Sequence, residues 1–433
     1  MKPLCEKYGR EVEQALSVPS ASSFLVGAYR IFSALKDAIT IIHGPVGCHW
    51  AGSLIRSVTD SSSAWTSFSA TRERSVIYGS LRDIQIVIDI VKKHFPYHDI
   101  IVLVSPVPSI IGDDFTMLEK KVGVKFVDCS SLSGDVGAGM EAGLLKLYEL
   151  YKDSFAQPNT TSIKSLKRVN IIGWQYDVAR SHEDLAELLK WLKILGVKVN
   201  CIVPSSVKSL SKLPLADLNI VLGYGVGLAE ALKREYGIPY IIVEHPYGLE
   251  SSRNLLEKIS DALGVGLPGQ TLKMLEDRVI DKIKRIKDKI ASIKDFPVVV
   301  SGEPPRLKSM INCLHGELCL EVLAALVTYS CPRAEFTISH AKKLFKYNFI
   351  GFAEYVLSLE PSPISMGTEL ERRHIFSDTI LYSYPTLSSI AFTHYMFTGI
   401  YNIMSDVFNV VMTRLIRPAL DNYLSIKVSH GSS

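Results

Sequence analysis

Short apolar runs alternate with amphipathic stretches over most of the chain. A short apolar run stopped by Gly or Pro reads as a buried strand, and apolar positions spaced by three and four read as one helix face. Residues 38–42 form such a run, stopped by Gly44-Pro45, and residues 100–104 form another, stopped by Pro106 and Pro108. Residues 125–128 read as a third strand. Between the first two, residues 80–94 predict a helix with Ile84, Ile88 and Val91 on its inner face.

A polar stretch over 156–167, rich in Ser, Thr, Asn and Pro, reads as a linker. A second set follows, with strands at 169–172, 197–203, 218–222 and 239–243 and helices at 182–195 and 228–235. Leu272, Leu275, Val279, Ile283, Ile286, Ile290 and Ile293 keep helical spacing, so 271–294 predicts one long amphipathic helix between lobes. Beyond it, 297–301 reads as a strand, 306–327 as mostly helix, 379–383 as a strand and 395–415 as a buried helix. Strands alternating with helices are the mark of parallel βαβ units. The expected architecture is α/β, with three Rossmann-like, doubly wound parallel-sheet lobes. They cover residues 1–155, 168–267 and 296–433, with the bridging helix over 268–295.

Composition changes this picture little. A chain of 433 residues, 47% of them hydrophobic, is long enough for several cores. Its net charge of +4 is small, and the one dense basic run, 282–294, alternates with Ile as the wet face of a helix does. Nucleic acid is therefore not an expected partner. No apolar run is long enough for a bilayer, and Lys2, Glu6, Lys7, Arg10, Glu11 and Glu13 do not fit a signal peptide, so a cytoplasmic location and no membrane partner are expected. The seven cysteines include no CxxC pair, which argues against a disulfide framework and against a self-contained zinc or ferredoxin-type site. A bound metal cluster would need ligands from another chain.

In doubly wound sheets, ligands sit outside the carboxyl ends of the strands. His43-Gly44-Pro45-Val46-Gly47-Cys48 lies there, directly after the first strand. Gly44, Pro45 and Gly47 make a turn that lets backbone approach a bulky group and presents Cys48 at its tip. A thiolate there suits iron, and oriented N–H groups suit cluster sulfides. On spacing alone, a small side chain packed beside a turn is the competing reading. Cys129, after strand 125–128, reads as a second metal ligand or cluster-proximal thiol, or else as a packed residue, while Cys313, Cys319 and Cys331 read as core. Glu244, His245 and Tyr247 follow strand 239–243 at the second lobe's mouth, and His245 is the candidate proton donor to a substrate held between lobes, or else a hydrogen-bonded loop residue. Gly223-x-Gly225-x-Gly227 lacks the dinucleotide spacing and reads as tight strand-to-helix packing. There is no P-loop, so the chain is not expected to hydrolyse ATP.

Residues 43–48 resemble the HGPxGC motif of the nitrogenase component 1 superfamily. That superfamily includes nitrogenase MoFe subunits, their cofactor-assembly scaffold, dark-operative protochlorophyllide and chlorophyllide reductases and the F430 reductive cyclase. Other stretches agree in order: Leu25-Val26-Gly27-Ala28 with a small-residue turn and helix, Glu73 to Gly79 with E-x-x-x-V-F-G, and Ile110 to Asp114 with I-G-D-D. Pro239 to Ser252, with HPYGLESS inside, resembles the second lobe's P-x-G-x-x-x-T stretch, and Tyr384-Pro385 and Thr398 to Tyr401 resemble positions of the third lobe.

The resemblance implies a four-iron (4Fe-4S) iron–sulfur cluster at a subunit interface, fed with electrons by an ATP-dependent iron–sulfur reductase. Family members with a full half-site carry three cysteines. Here Ser22 and Ser23 stand near the first position and Ser105 at the third, leaving Cys48 alone. The pattern resembles single-cysteine β-like subunits, whose α-like partner supplies three thiolates. The implied partners are thus a three-cysteine homologous chain and the reductase, with Ser22, Ser23 and Ser105 as possible oxygen ligands. The resemblance also sets Glu73 near the cluster and the reductase-docking face, where the alternative is a helix-start acid. Asp113 and Asp114 orient backbone near the cluster or cap the next helix, and His49 and Trp50 shield the cluster. An assembly scaffold for nitrogenase cofactor and a cluster-free interaction subunit are the two alternative functions.

Overall fold

The structure, a computed structural model, describes residues 23–48, 65–131, 134–157, 166–289, 297–384 and 392–430. Ser22, His49, Trp50, Pro385 and most of the linker stretch lie outside the described residues.

The first lobe starts with α1 (Phe24–Phe32), whose Ser23 hydroxyl accepts from Val26 N at 3.4 Å and caps it. Then come β1 (Ala38–Gly44), β2 (Trp65–Ala70), α2 (Glu73–Tyr78), α3 (Leu81–His94), β3 (Asp99–Val104), α4 (Pro106–Ile111), α5 (Phe115–Val122), β4 (Lys125–Asp128) and α6 (Val136–Tyr151). The second lobe runs through β5 (Arg168–Ile172), α7 (Ser181–Ile194), β6 (Lys198–Val203), α8 (Val207–Leu210), β7 (Leu218–Leu222), α9 (Val226–Tyr236), β8 (Tyr240–Val243) and α10 (Gly248–Leu263). The bridging helix α11 covers Gly269–Lys289. The third lobe has β9 (Val298–Gly302), α12 (Pro304–Asn312), β10 (Val322–Val327), β11 (Ala341–Lys346), α13 (Phe349–Leu357), β12 (Ile364–Gly367), α14 (Glu369–His374), β13 (Ile380–Leu381) and α15 (Met396–His430).

The sheets are parallel and run β2-β1-β3-β4, β6-β5-β7-β8 and β11-β10-β9-β12-β13. Each is wound outward from an inner strand and then back to its other side. The sequence reading errs within 306–327. Helix α12 ends early, a π-helical turn covers Cys313–Glu317, Cys319 takes a positive φ of 54°, and Val322–Val327 is a strand. A short, uniformly apolar run has no period of its own, so it reads as buried helix or buried strand alike.

The lobes are joined by polar contacts as well as by apolar packing. Within the first lobe, Gly27 and Gly139 bring α1 and α6 to backbone distance: a Cβ on Gly27 would lie 2.1 Å from Val136 O, and one on Gly139 2.0 Å from Phe24 O. Arg30 on α1 reaches both other lobes. It donates to Asp177 Oδ2 at 2.6 Å and Oδ1 at 2.8 Å, to Gln175 at 2.8 Å and to Tyr329 at 2.8 Å, and it lies 3.8 Å above the Tyr384 ring. Asp135 accepts from Ser330 N at 2.6 Å, and Asp184 accepts from His394 N at 2.8 Å.

Asp37 belongs to the same set. It accepts from Val207 N at 2.6 Å, Lys208 N at 3.0 Å and Ser206 Oγ at 2.7 Å, at the start of α8. Burial pushes its carboxyl up, but these donors outweigh burial and hold it below its ordinary range. The folded state therefore favours ionised Asp37. Its contribution is complete above the unfolded value of about 4 and is lost as pH falls through the lower folded value. Asp37→Asn is expected to flatten the acid limb of stability, so that urea midpoints of variant and wild type converge as pH drops from neutral towards 3. An unchanged gap would refute this.

Candidate functional site

In a doubly wound sheet the strand order reverses between two neighbouring strands, and the crevice at their carboxyl ends is where ligands bind. The three sheets place these switch points between β1 and β3, β5 and β7, and β9 and β12.

The second lobe's crevice is filled from within. Gly225, Val226 and Gly227 open α9 with three N–H groups facing one way, a ready anion nest. Glu141, reaching over from α6, accepts from Gly225 N at 2.6 Å, Val226 N at 3.3 Å and Gly227 N at 2.7 Å. The glycine-rich turn is thus a docking point for the chain's own carboxylate, in line with its reading as packing. In the third lobe, Glu303 pairs with Arg306 at 2.6 Å and accepts from Ser383, while Glu371 accepts from Thr368 N at 2.8 Å. These groups are buried.

The first lobe differs. β1 is buried along its whole length and ends in a tight turn, Val46–Cys48, with Cys48 N donating to Pro45 O at 2.9 Å. Cys48 is half-buried. Ser105 follows β3 and its N–H donates to His43 O at 3.0 Å, which holds the two strand ends together. The Ser105 hydroxyl is fully buried, has no oxygen or nitrogen partner among the described residues, and faces the Cys48 thiol. A Cβ on Gly44 would lie 2.1 Å from Ser105 Oγ and 3.5 Å from Cys48 Sγ, so only glycine leaves room for this pair. Gly47 is different: among the described residues nothing lies within 4 Å of a Cβ placed there. Burial raises the Cys48 thiol above its ordinary range, and the Ser105 hydroxyl pulls the other way.

His43 holds this turn from behind. Its Nε2 lies 2.7 Å from Ser80 Oγ and its Nδ1 is bonded to Ser69 Oγ. Ser80 Oγ donates to Asp113, which also accepts from Ser80 N at 2.9 Å. That direction makes Nε2 the protonated nitrogen, donating to Ser80, and Nδ1 the acceptor of the Ser69 hydroxyl. Burial pushes the imidazole down to about 4, against the opposing pull of Asp113 and Asp83, so the ring is neutral at physiological pH. Ser69 enters through β2, a strand that sequence patterning missed because Trp65–Ala70 carries Thr and Ser in place of a continuous apolar run. Asp114 caps α5, accepting from Thr116 N at 3.0 Å, whereas Asp113 serves this network instead of a cap.

Beside the turn lies an apolar surface. Helix α2 packs beside α4. Val46, Ile77, Tyr78 and Ile110 are 67%, 73%, 79% and 73% exposed. Glu73 begins α2 and is exposed at its positive end.

The other candidates lie elsewhere. Cys129 is fully buried in the first lobe's core, and burial raises its thiol strongly. Ser23 is occupied as the cap of α1. His245 is fully buried, with Nδ1 bonded to the Tyr395 hydroxyl and Nε2 unpartnered among the described residues. Burial, aided by Arg306, keeps its imidazole neutral. Glu244 accepts from Ser251 Oγ at 2.9 Å, and Tyr247 accepts from Arg306 at 2.5 Å. Among the described residues, no group of three or more His, Cys, Asp or Glu side chains is placed to hold a metal ion.

Three doubly wound parallel lobes, with a cysteine turn at the first lobe's switch point, define the class of the nitrogenase component 1 type oxidoreductases. The chain belongs to that family, whose model matches residues 23–412. It is 27% identical over 298 residues to the nitrogenase iron-molybdenum cofactor biosynthesis protein NifE of Clostridium pasteurianum, a match covering 64% of this chain and 61% of that protein. It is 25% identical over 375 residues to a light-independent protochlorophyllide reductase polypeptide of Leptolyngbya boryana, covering 80% of this chain and 72% of that one. Among solved structures, nitrogenase Cp1 at pH 6.5 superposes with a TM-score of 0.72 at 14% identity, over 92% of this chain and 93% of that chain. No helix among the described residues is long and apolar enough to cross a membrane.

Proposed function

We propose that this chain is the β-like subunit of a two-component reductase complex and contributes one thiolate, Cys48, to an iron–sulfur cluster shared with a homologous partner. The observation that carries this reading is the half-buried Cys48 thiol facing the buried Ser105 hydroxyl, at the one switch point whose crevice is not closed by the chain's own carboxylates among the described residues. The site's chemistry fits a corner of such a cluster: an accessible soft ligand, a glycine-lined crevice and a buried hydroxyl to satisfy. When bound, the cluster accepts and passes on single electrons. The chain's own residues do the positioning. Cys48 supplies the sulfur ligand, Gly44 keeps the crevice open, and neutral His43 ties the turn to β2 and α3. The apolar surface of Val46, Ile77, Tyr78 and Ile110, with Glu73 at its edge, is the contact face for the partner chain and the ATP-dependent reductase. His245 is a proton donor in this scheme only where the lobes part to expose it, because its ring is buried and neutral.

The NifE similarity favours a second reading, a subunit of a cofactor-assembly scaffold with the same Cys48 site. The two differ in what the partner chain holds, and both lose the cluster with the thiol. The test is anaerobic purification of the tagged full chain with its partner, followed by iron and sulfide determination. Wild type is expected to carry about four irons per heterodimer. Cys48→Ala is expected to lose most of them and the visible absorbance, with the two chains still associated. Iron unchanged in the variant would overturn both readings in favour of a cluster-free subunit.

A further inference from the structure

We propose that a cleft of about 330 Å³ between the second and third lobes binds a small amphipathic monocarboxylate. It opens at the carboxyl end of β8 and is closed by α10, α12 and the 331–336 stretch. β8 is the edge strand of its sheet and is only half-covered, so this sheet edge keeps space that the closed switch point of the lobe does not. The volume lies at the low end of the range for ligand pockets, about 300–1,000 Å³, and suits a small organic acid better than a dinucleotide or a macrocycle.

The walls set the chemistry. Ile242, Val243, Leu255 and Phe336 give an apolar floor. Of the three cations on the lining, two are engaged: Lys308 pairs with Glu244 at 3.0 Å and Arg333 with Glu230 at 2.6 Å. Glu244 also accepts from the Ser251 hydroxyl at 2.9 Å. Lys258, also on the lining, is exposed and has no ion-pair partner among the described residues. Glu335, also on the lining and exposed, opposes a second negative charge. One free ammonium over an apolar floor, with an acid nearby, selects a single carboxylate carrying a hydrocarbon body over inorganic phosphate.

The proposal is independent of the Cys48 reading, and its test needs no iron. Octanoate is titrated calorimetrically into the purified full chain, with octanol and inorganic phosphate as comparison probes. One octanoate is expected per chain, with phosphate and octanol at least about tenfold weaker. Lys258→Ala is expected to weaken octanoate about tenfold, whereas Lys146→Ala, which removes a surface pair with Glu149 on α6, leaves it unchanged. Both ammonium groups reach solvent, so the variants are expected to fold and to keep the wild-type unfolding temperature. No saturable binding, phosphate binding as tight as octanoate, or equal effects of the two lysine variants would each overturn the proposal.

Discussion

Replacing Arg30 with alanine is expected to destabilise the protein by about 3–5 kcal/mol, the range for removing one partner of a buried ion pair. Arg30 is buried, and its partners are buried with it. Truncation leaves the Asp177 carboxylate without its bidentate donor and strips a hydrogen bond from Gln175 and from Tyr329. It also removes the cation stacked on Tyr384. The damage is shared by all three lobes, because α1, the Gln175–Asp177 stretch and the Tyr329 and Tyr384 rings belong to different ones. The size of the loss comes mostly from the stranded carboxylate, not from the net strength of the pair. Arg30→Met combined with Asp177→Asn should therefore recover much of the lost stability. Urea unfolding followed by circular dichroism checks both. A single-variant loss below about 1 kcal/mol, the scale of an exposed pair, would show that water reaches this junction.

The same contacts explain which parts of the fold were legible in the sequence. Strands β1, β3, β5 and β7 are short, mostly apolar runs with Gly or Pro after them or close by, and burial on both faces leaves such runs little choice. β2 and β11 were missed for the opposite reason. β2 spends polar residues on the His43 network, and β11 is an edge strand guarded by Lys342, Lys343 and Lys346. Of the site, the turn and its cysteine were visible because glycine, proline and cysteine each carry local information. The pairing of Cys48 with Ser105 was open to sequence reading only through resemblance, since β2, α2, α3 and β3 lie between them. The acids that close the other crevices were invisible. Glu141 sits among helical residues, and nothing local distinguishes it from a solvated acid, yet it carries the amides of a whole helix start.

That contrast bears on function more than any single residue does. Helix starts at strand ends are natural anion sites. In this chain Asp37, Glu141 and Glu317 occupy those of α8, α9 and α10, the last accepting from Leu249 N at 2.7 Å. The lobes are fastened through the very positions where a doubly wound sheet would otherwise take a phosphate or a carboxylate ligand. All three helix starts belong to the second lobe, and the first lobe's crevice, by contrast, ends in the Cys48 thiol.

Gly44→Ala is expected to cost the complex most of its cluster iron while the fold survives. The added methyl would lie 2.1 Å from Ser105 Oγ and 2.8 Å from Ser105 Cβ. Turning the serine side chain relieves the first contact but not the second, so the ends of β1 and β3 must separate, and Cys48 moves with them. Overpacking of this kind costs about 1–3 kcal/mol, too little to unfold a chain of this size. Adding Ser105→Gly removes both clashing atoms and is expected to restore iron towards the wild-type level, although the hydroxyl is gone. Gly47→Ala is the internal comparison: among the described residues nothing lies within 4 Å of the new methyl, so it should not disturb the Cys48–Ser105 pair. Gly47→Ala is therefore expected to keep its iron where Gly44→Ala loses it. Iron retained in Gly44→Ala, or lost equally with and without Ser105→Gly, would mean that the shape of this crevice does not govern metal binding.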